Sequence, residues 1–143
     1  MPLITVHYST PRPTSDLKPR IAAAASDLAA TILHKDPKVT AVIVEQVDPA
    51  DWFAAGASLA DQNLASFWLD IRIVDSTNTK DEKAEFIAAA YARMGELLGP
   101  LHSESYVHVN GVRADGYGFG GLTQEQRYIV RKLAAAPRSA VVV

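Results

Sequence analysis

The alternation of apolar and polar residues divides the chain into two similar halves. Leu3-Ile4-Thr5-Val6-His7-Tyr8 reads as a strand, and Pro11-Arg12-Pro13 breaks it. Ser15 and Asp16 can cap a helix reaching about His34, with Leu17, Ile21, Ala24, Leu28 and Ile32 as its apolar stripe. Pro19 fits this helix only because it falls in or near the first turn, where the missing N–H has no intrahelical partner to lose. A second strand over about Thr40 to Gln46 leads into the loop Asp51-Trp52-Phe53-Ala54-Ala55-Gly56.

The second half repeats the order. From Ser66 to Val74, Phe67, Leu69, Ile71 and Ile73 point one way and Trp68, Asp70 and Arg72 the other. Thr79-Lys80-Asp81-Glu82 has the form of a capping box, and Phe86, Ile87, Ala90, Tyr91, Met94 and Leu98 mark the helix face behind it. Gly99-Pro100 ends that helix, and Ser105 to Val112 is the closing strand. The Gly-rich loop Gly116-Tyr117-Gly118-Phe119-Gly120-Gly121 follows. Thr123-Gln124-Glu125-Gln126 is a second capping-box match, opening a short helix to about Leu133. In the tail, Ala140-Val141-Val142-Val143 could pair with a sheet edge.

Pro2 aligns with Ser66, Ser15 with Thr79, Phe53 with Tyr117 and Gly56 with Gly120, each pair 64 positions apart. The helix stripes follow this offset less well than the loops. The pattern predicts one domain over residues 1–143, with pseudo-repeats 2–64 and 66–121 and a helix and tail over 122–143. Each strand–helix–strand unit makes a right-handed parallel crossover. Two of them give an α+β fold, a four-stranded mixed sheet with both helices on one face. The other face then lacks cover, which predicts oligomerisation through it.

Composition changes little in this picture. A length of 143 residues with 48% hydrophobic and 21% charged residues suits one globular domain. The net charge of -2 gives no footprint for nucleic acid or an anionic membrane, and no apolar run is long enough to span a bilayer. No signal-peptide pattern precedes the first strand, so the cytoplasm is the expected location. There is no cysteine, and His7, His34, His102 and His108 show no metal-ligand spacing, so no metal or cofactor is expected.

The candidate chemistry lies at Pro2. Removal of Met1 would expose a secondary amine there. An α-amino group titrates near pH 7.7 to 8.0, and an apolar pocket lowers that value toward the range where proton transfer is efficient. With Met1 in place the same nitrogen is an amide without basicity.

The Met-Pro-strand start, the paired units and the Gly-rich aromatic loops together resemble the tautomerase superfamily, which includes 4-oxalocrotonate tautomerase and macrophage migration inhibitory factor. The resemblance runs from about Pro2 to Gly121. It implies a homotrimer with sites at the subunit interfaces and Pro2 as catalytic base. Arg12 matches the arginine that holds a substrate carboxylate in 4-oxalocrotonate tautomerase, and Lys35 a lysine lining the pocket of macrophage migration inhibitory factor. Tyr106 and His108, beside Asn110 on one face of the closing strand, match a tyrosine and an asparagine supplied by the neighbouring subunit there. Histidine in place of asparagine departs from that pattern and adds a second possible proton carrier. Tyr117, and Phe53 in the first unit, match the loop aromatic that keeps the proline amine dry. Ser66 starts the second unit within an unbroken chain, so one base per subunit is expected.

The resemblance implies 1,3-proton transfer on a small α-keto or enol carboxylic acid, with Pro2, His108 and Tyr106 catalytic and Arg12, Lys35, Tyr117 and Asn110 binding substrate. Two alternatives stay open: hydration, dehalogenation or decarboxylation with Pro2 protonated, and an interaction protein that has no chemistry. The hydrating and decarboxylating relatives need arginines after the third strand, where this chain has Asp75-Ser76-Thr77-Asn78.

Overall fold

The two strand patterns and the two helix stripes meet on one side of a single sheet. A computed structural model describes residues 1–136. The expected pairing of residues 140–143 with a sheet edge lies outside the described residues. The first unit is β1 (Leu3–Ser9), α1 (Leu17–Thr31) and β2 (Ala41–Gln46). It is followed by a hairpin of β3 (Phe53–Ala54) and β4 (Ala57–Ser58) and the short α2 (Leu59–Gln62). The second unit is β5 (Ser66–Val74), α3 (Lys80–Leu98) and β6 (Tyr106–Val112), then a hairpin of β7 (Gly118–Phe119) and β8 (Leu122–Thr123) and α4 (Gln124–Ala135).

The sheet order is β2-β1-β5-β6, parallel within each unit and antiparallel where β1 meets β5. Ile4, Val6, Tyr8, Phe67, Leu69, Ile71 and Ile73 are all at most 2% exposed beneath the helices. Burial of each such side chain contributes roughly 1.5–3 kcal/mol, so this layer is the main stabilising feature. Thr79 accepts from the Glu82 N–H and Glu82 accepts from the Thr79 N–H, completing the expected capping box of α3. The start of α1 differs from expectation. Its N-cap, Asp16, makes no capping hydrogen bond, and α1 ends at Thr31 because His34 turns into the left-handed region (φ 59°).

The structural repeat is 65 residues, one more than the sequence alignment suggests. Ile21, Ala25, Ala29 and Leu33 are buried where Phe86, Ala90, Met94 and Leu98 are buried in the second unit. The hairpin turns agree: Ala55 and Gly56 have φ 53° and 82°, and Gly120 and Gly121 have φ 60° and 84°. In both, the two central residues take the left-handed region that a tight hairpin demands. The Leu59 N–H donates to the Trp52 carbonyl at 2.9 Å, and the Gln124 N–H to that of Tyr117 at 2.8 Å. Trp52, not Phe53, is therefore the counterpart of Tyr117, and Phe67, not Ser66, that of Pro2. A one-residue slip in a strand moves every side chain to the opposite face, so only the offset of 65 superposes inside on inside.

The opposite sheet face is polar and aromatic. His7 stacks on Trp68 with ring centroids 5.4 Å apart and pairs with Glu45 at 3.2 Å. Asp70 lies 3.5 Å from His108 and 3.4 Å from Arg72. Trp68 and Tyr106 remain 47% and 57% exposed, so each chain presents a face still suited to association.

Candidate active site

Pro2 is buried at the entry to β1, and its carbonyl accepts the Ala41 N–H at 3.2 Å. Three other segments converge on it. The second hairpin carries Tyr117 across the start of the sheet, where its hydroxyl donates to the Met1 carbonyl at 2.6 Å and lies 3.4 Å from that of Arg72. The turn after α1 carries Lys35, whose N–H donates to Ala29 and whose ammonium donates to Thr77 Oγ1, both at 3.0 Å. Helix α4, which leaves directly from that hairpin, adds Gln124 and Arg131.

Of the cavities that Met1 lines, two flank the start of β1. One, about 370 Å³, is lined by Met1, Pro2, Val39, Thr40, Tyr117 and Phe119, and is largely apolar. The other, about 330 Å³, is lined by Met1, Lys35, Asp36, Thr77, Gln124 and Arg131 among others, and is the more polar of the two. Met1 occupies the boundary between them.

Electrostatics at this boundary favour a neutral amine. Burial holds the Met1 amine below the usual α-amino range, and the charges of Lys35 and Arg131 add to the effect, against an opposing Asp36. Burial also lowers Lys35, against an opposing Glu82. The Tyr117 hydroxyl is raised, chiefly by burial, and so stays a hydrogen-bond donor. Among the described residues the histidines are dispersed: His7 beside Glu45, His34 beside Glu82, His108 beside Asp70, and His102 accepting the Glu104 N–H.

Of the residues singled out in the sequence, one chain brings together Pro2, Lys35 and Tyr117. Arg12 stands at the other end of β1, about 23 Å away by the rise of a strand, near Gly99 at the end of α3. Tyr106, His108 and Asn110 lie on β6, two strands from β1, with Asn110 in register with Arg72 and so level with Leu3. Tyr106 donates to Glu104, and the same carboxylate accepts the Ala55 N–H of the first hairpin. Phe53 is 67% exposed on that hairpin, remote from Pro2.

Gln124 and Arg131 were not singled out in the sequence. Their helix follows the repeated units, and a glutamine after a capping threonine reads as an ordinary first-turn residue. Only its burial (7% exposed) within the fold marks it.

Residues 2–62 match the family model described as Tautomerase enzyme. No curated protein sequence matches the chain. Solved structures with the same fold include a fused 4-OT described as a symmetric trimer, with 20% identity, TM-score 0.73, and coverage of 86% of this chain and 96% of that one. A macrophage migration inhibitory factor-like protein from Entamoeba histolytica has 16% identity and TM-score 0.70, covering 85% and 97%. The malonate semialdehyde decarboxylase FG41 has 19% identity and TM-score 0.68, covering 94% and 99%.

Proposed function

We propose, from the family match over residues 2–62 and the shared fold, that this chain is a member of the tautomerase superfamily and a cytoplasmic, homotrimeric tautomerase that moves a proton between carbon and oxygen of a small α-keto or enol carboxylic acid. Pro2, freed by loss of Met1, is the general base. The observation that carries this reading is the setting of the peptide bond between Met1 and Pro2. It lies at a cavity wall, with Tyr117 hydrogen-bonded to its carbonyl and two cations near the preceding amine.

Once Met1 is gone, the new Pro2 amine meets the influences that now depress the Met1 amine: burial, Lys35 and Arg131. A lowered pKa leaves more of the amine unprotonated at a given pH and so able to accept a proton. Tyr117, having lost the Met1 carbonyl and keeping only the longer contact to that of Arg72, can turn its hydroxyl to the enolate oxygen as charge develops there. Lys35 attracts the carboxylate. Arg12 lies too far along β1, and Tyr106, His108 and Asn110 lie two strands across the sheet on β6, to act on Pro2 of their own chain, so their part requires a trimer that places them against a neighbouring Pro2.

Reactions using a protonated Pro2 have less support. Where relatives that hydrate or decarboxylate carry arginines, this chain has Ser76 and Asn78, and the Asn78 amide donates to the Leu33 carbonyl at 3.0 Å. The cations around the N-terminus also work against protonation.

The test is ketonisation of phenylenolpyruvate and 2-hydroxymuconate by Met1-processed protein and by Pro2→Ala. General base catalysis contributes about 10²- to 10⁴-fold, and a loss of that size is expected. Equal rates for the two proteins would remove Pro2 from the chemistry.

A further inference from the structure

The Gln124 side chain is 7% exposed, and its amide nitrogen is buried without a hydrogen-bond partner. A buried donor left unmade is costly, so its retention calls for an explanation. Packing does not supply one. The 65-residue repeat offers an internal comparison, since the same position in the first unit, also the first residue of a helix after a hairpin, is Leu59 at 0% exposed. An apolar side chain satisfies the fold there. Gln124 instead lines the polar cavity beside Met1, together with Lys35 and Arg131.

Arg131 lies about two turns further along the same face of α4 and forms no ion pair with the described carboxylates. Its guanidinium carbon is 5.9 Å from the Tyr128 ring. Across the cavity, the Lys35 ammonium has a hydroxyl partner in Thr77 but no carboxylate within ion-pair distance. Asp36 is the one acidic residue on the cavity wall, leaving an excess of positive charge where Met1 now sits.

Resting on the tautomerase reading above, we infer that α4 completes the substrate site: Arg131 and the Gln124 amide, facing Lys35, hold the carboxylate of a 2-oxo acid in the volume that Met1 vacates. The length of Met1 sets the class. One residue spans at most about 3.6 Å, so a carboxylate in the position of the Met1 amine leaves only the next carbons against the Pro2 nitrogen. The reacting carbon is therefore close to the carboxylate, as C3 of a 2-oxo acid is, with the 2-oxygen toward Tyr117. Acids whose carboxylate is several carbons from the reacting centre do not fit this spacing.

The probe is phenylpyruvate, with its methyl ester as the neutral comparison, titrated calorimetrically into Met1-processed protein. Arg131→Ala and Gln124→Leu are each expected to weaken the acid about tenfold or more, the range of a hydrogen bond to a charged group, and to leave the ester within about twofold. Arg131→Lys should fall between, keeping the charge but losing the fork. Gln124→Leu should melt no lower than the parent, as Leu59 implies, which separates lost binding from lost folding. Unchanged affinity for the acid in both variants overturns the inference, as does an equal loss for acid and ester. Because affinity is compared between acid and ester and does not depend on a rate, an active Pro2→Ala protein would sink the base assignment while leaving this result to stand or fall separately.

Discussion

Tyr117 and Met1 are 116 positions apart in the chain, yet the tyrosine hydroxyl donates to the Met1 carbonyl at 2.6 Å. The bond closes the second hairpin over the N-terminus and ties the last part of the fold to the first. It also makes the tyrosine a reporter on processing, because the carbonyl leaves with Met1.

Tyr117→Phe should therefore destabilise protein that retains Met1 by about 1 kcal/mol, the net worth of one hydrogen bond plus some cost for an unpaired carbonyl. In processed protein the same substitution should change stability much less and lower kcat more than it raises KM. Urea unfolding of the four proteins measures the first effect. Equal destabilisation with and without Met1 would mean that the Arg72 carbonyl, 3.4 Å away, and not that of Met1 is the partner that matters.

The pH dependence follows from the direction of the amine shift. Burial, Lys35 and Arg131 hold the terminal amine below the usual range near 7.7 to 8.0. A base with a lowered pKa loses its proton at lower pH. So kcat/KM should rise through a value below that range and be flat above it. Lys35→Met removes one of the cations and should move this acid limb to higher pH. A profile whose acid limb stays in place would show that the Lys35 charge does not act on the amine.

The open sheet face gives a prediction about assembly. Trp68, 47% exposed and stacked on His7, stands at the centre of the face that neither α1 nor α3 covers. Trp68→Glu should reduce the sedimentation mass from trimer to monomer with unchanged far-ultraviolet dichroism. Activity should fall with it if, as proposed, Arg12, Tyr106, His108 and Asn110 reach a Pro2 from another subunit. A monomeric parent protein would contradict the trimer outright, and an active Trp68→Glu monomer would free the site from the interface.

The repeat also predicts where stability resides. Phe86 and Ile21 occupy equivalent, fully buried places in the two units. Phe86→Ala should cost about 3–5 kcal/mol and Ile21→Ala about 2–5 kcal/mol. Thr79→Ala, which breaks the capping box of α3, should cost about 1 kcal/mol. At the uncapped start of α1, Ser15→Ala should cost little. Thermal unfolding checks all four.

Much of the fold is legible before any coordinates. The alternation in residues 66–74 fixes which face is buried, the capping box at Thr79 fixes the start of α3, and glycines fix the hairpin turns. The residue-level match between the units is less legible. An alignment led by Gly56 with Gly120 and Phe53 with Tyr117 looks coherent but is one residue out, because Ala55 occupies a left-handed turn position that sequence alone assigns to glycine.

The sequence by itself determined the two amphipathic units and the place of Pro2 at the head of the first, with no proline at the head of the second. These depend on local pattern, which physics reads at intervals of two or about 3.6 residues. Tertiary structure decided which residues surround that proline. Lys35, Tyr117, Gln124 and Arg131 come from three separate segments, and no periodicity links them. It also decided that Arg12, only ten residues after Pro2, is remote from it, because an extended strand carries the chain away faster than any other structure. Proximity in a site is a property of chain closure, while pattern is a property of chain neighbours.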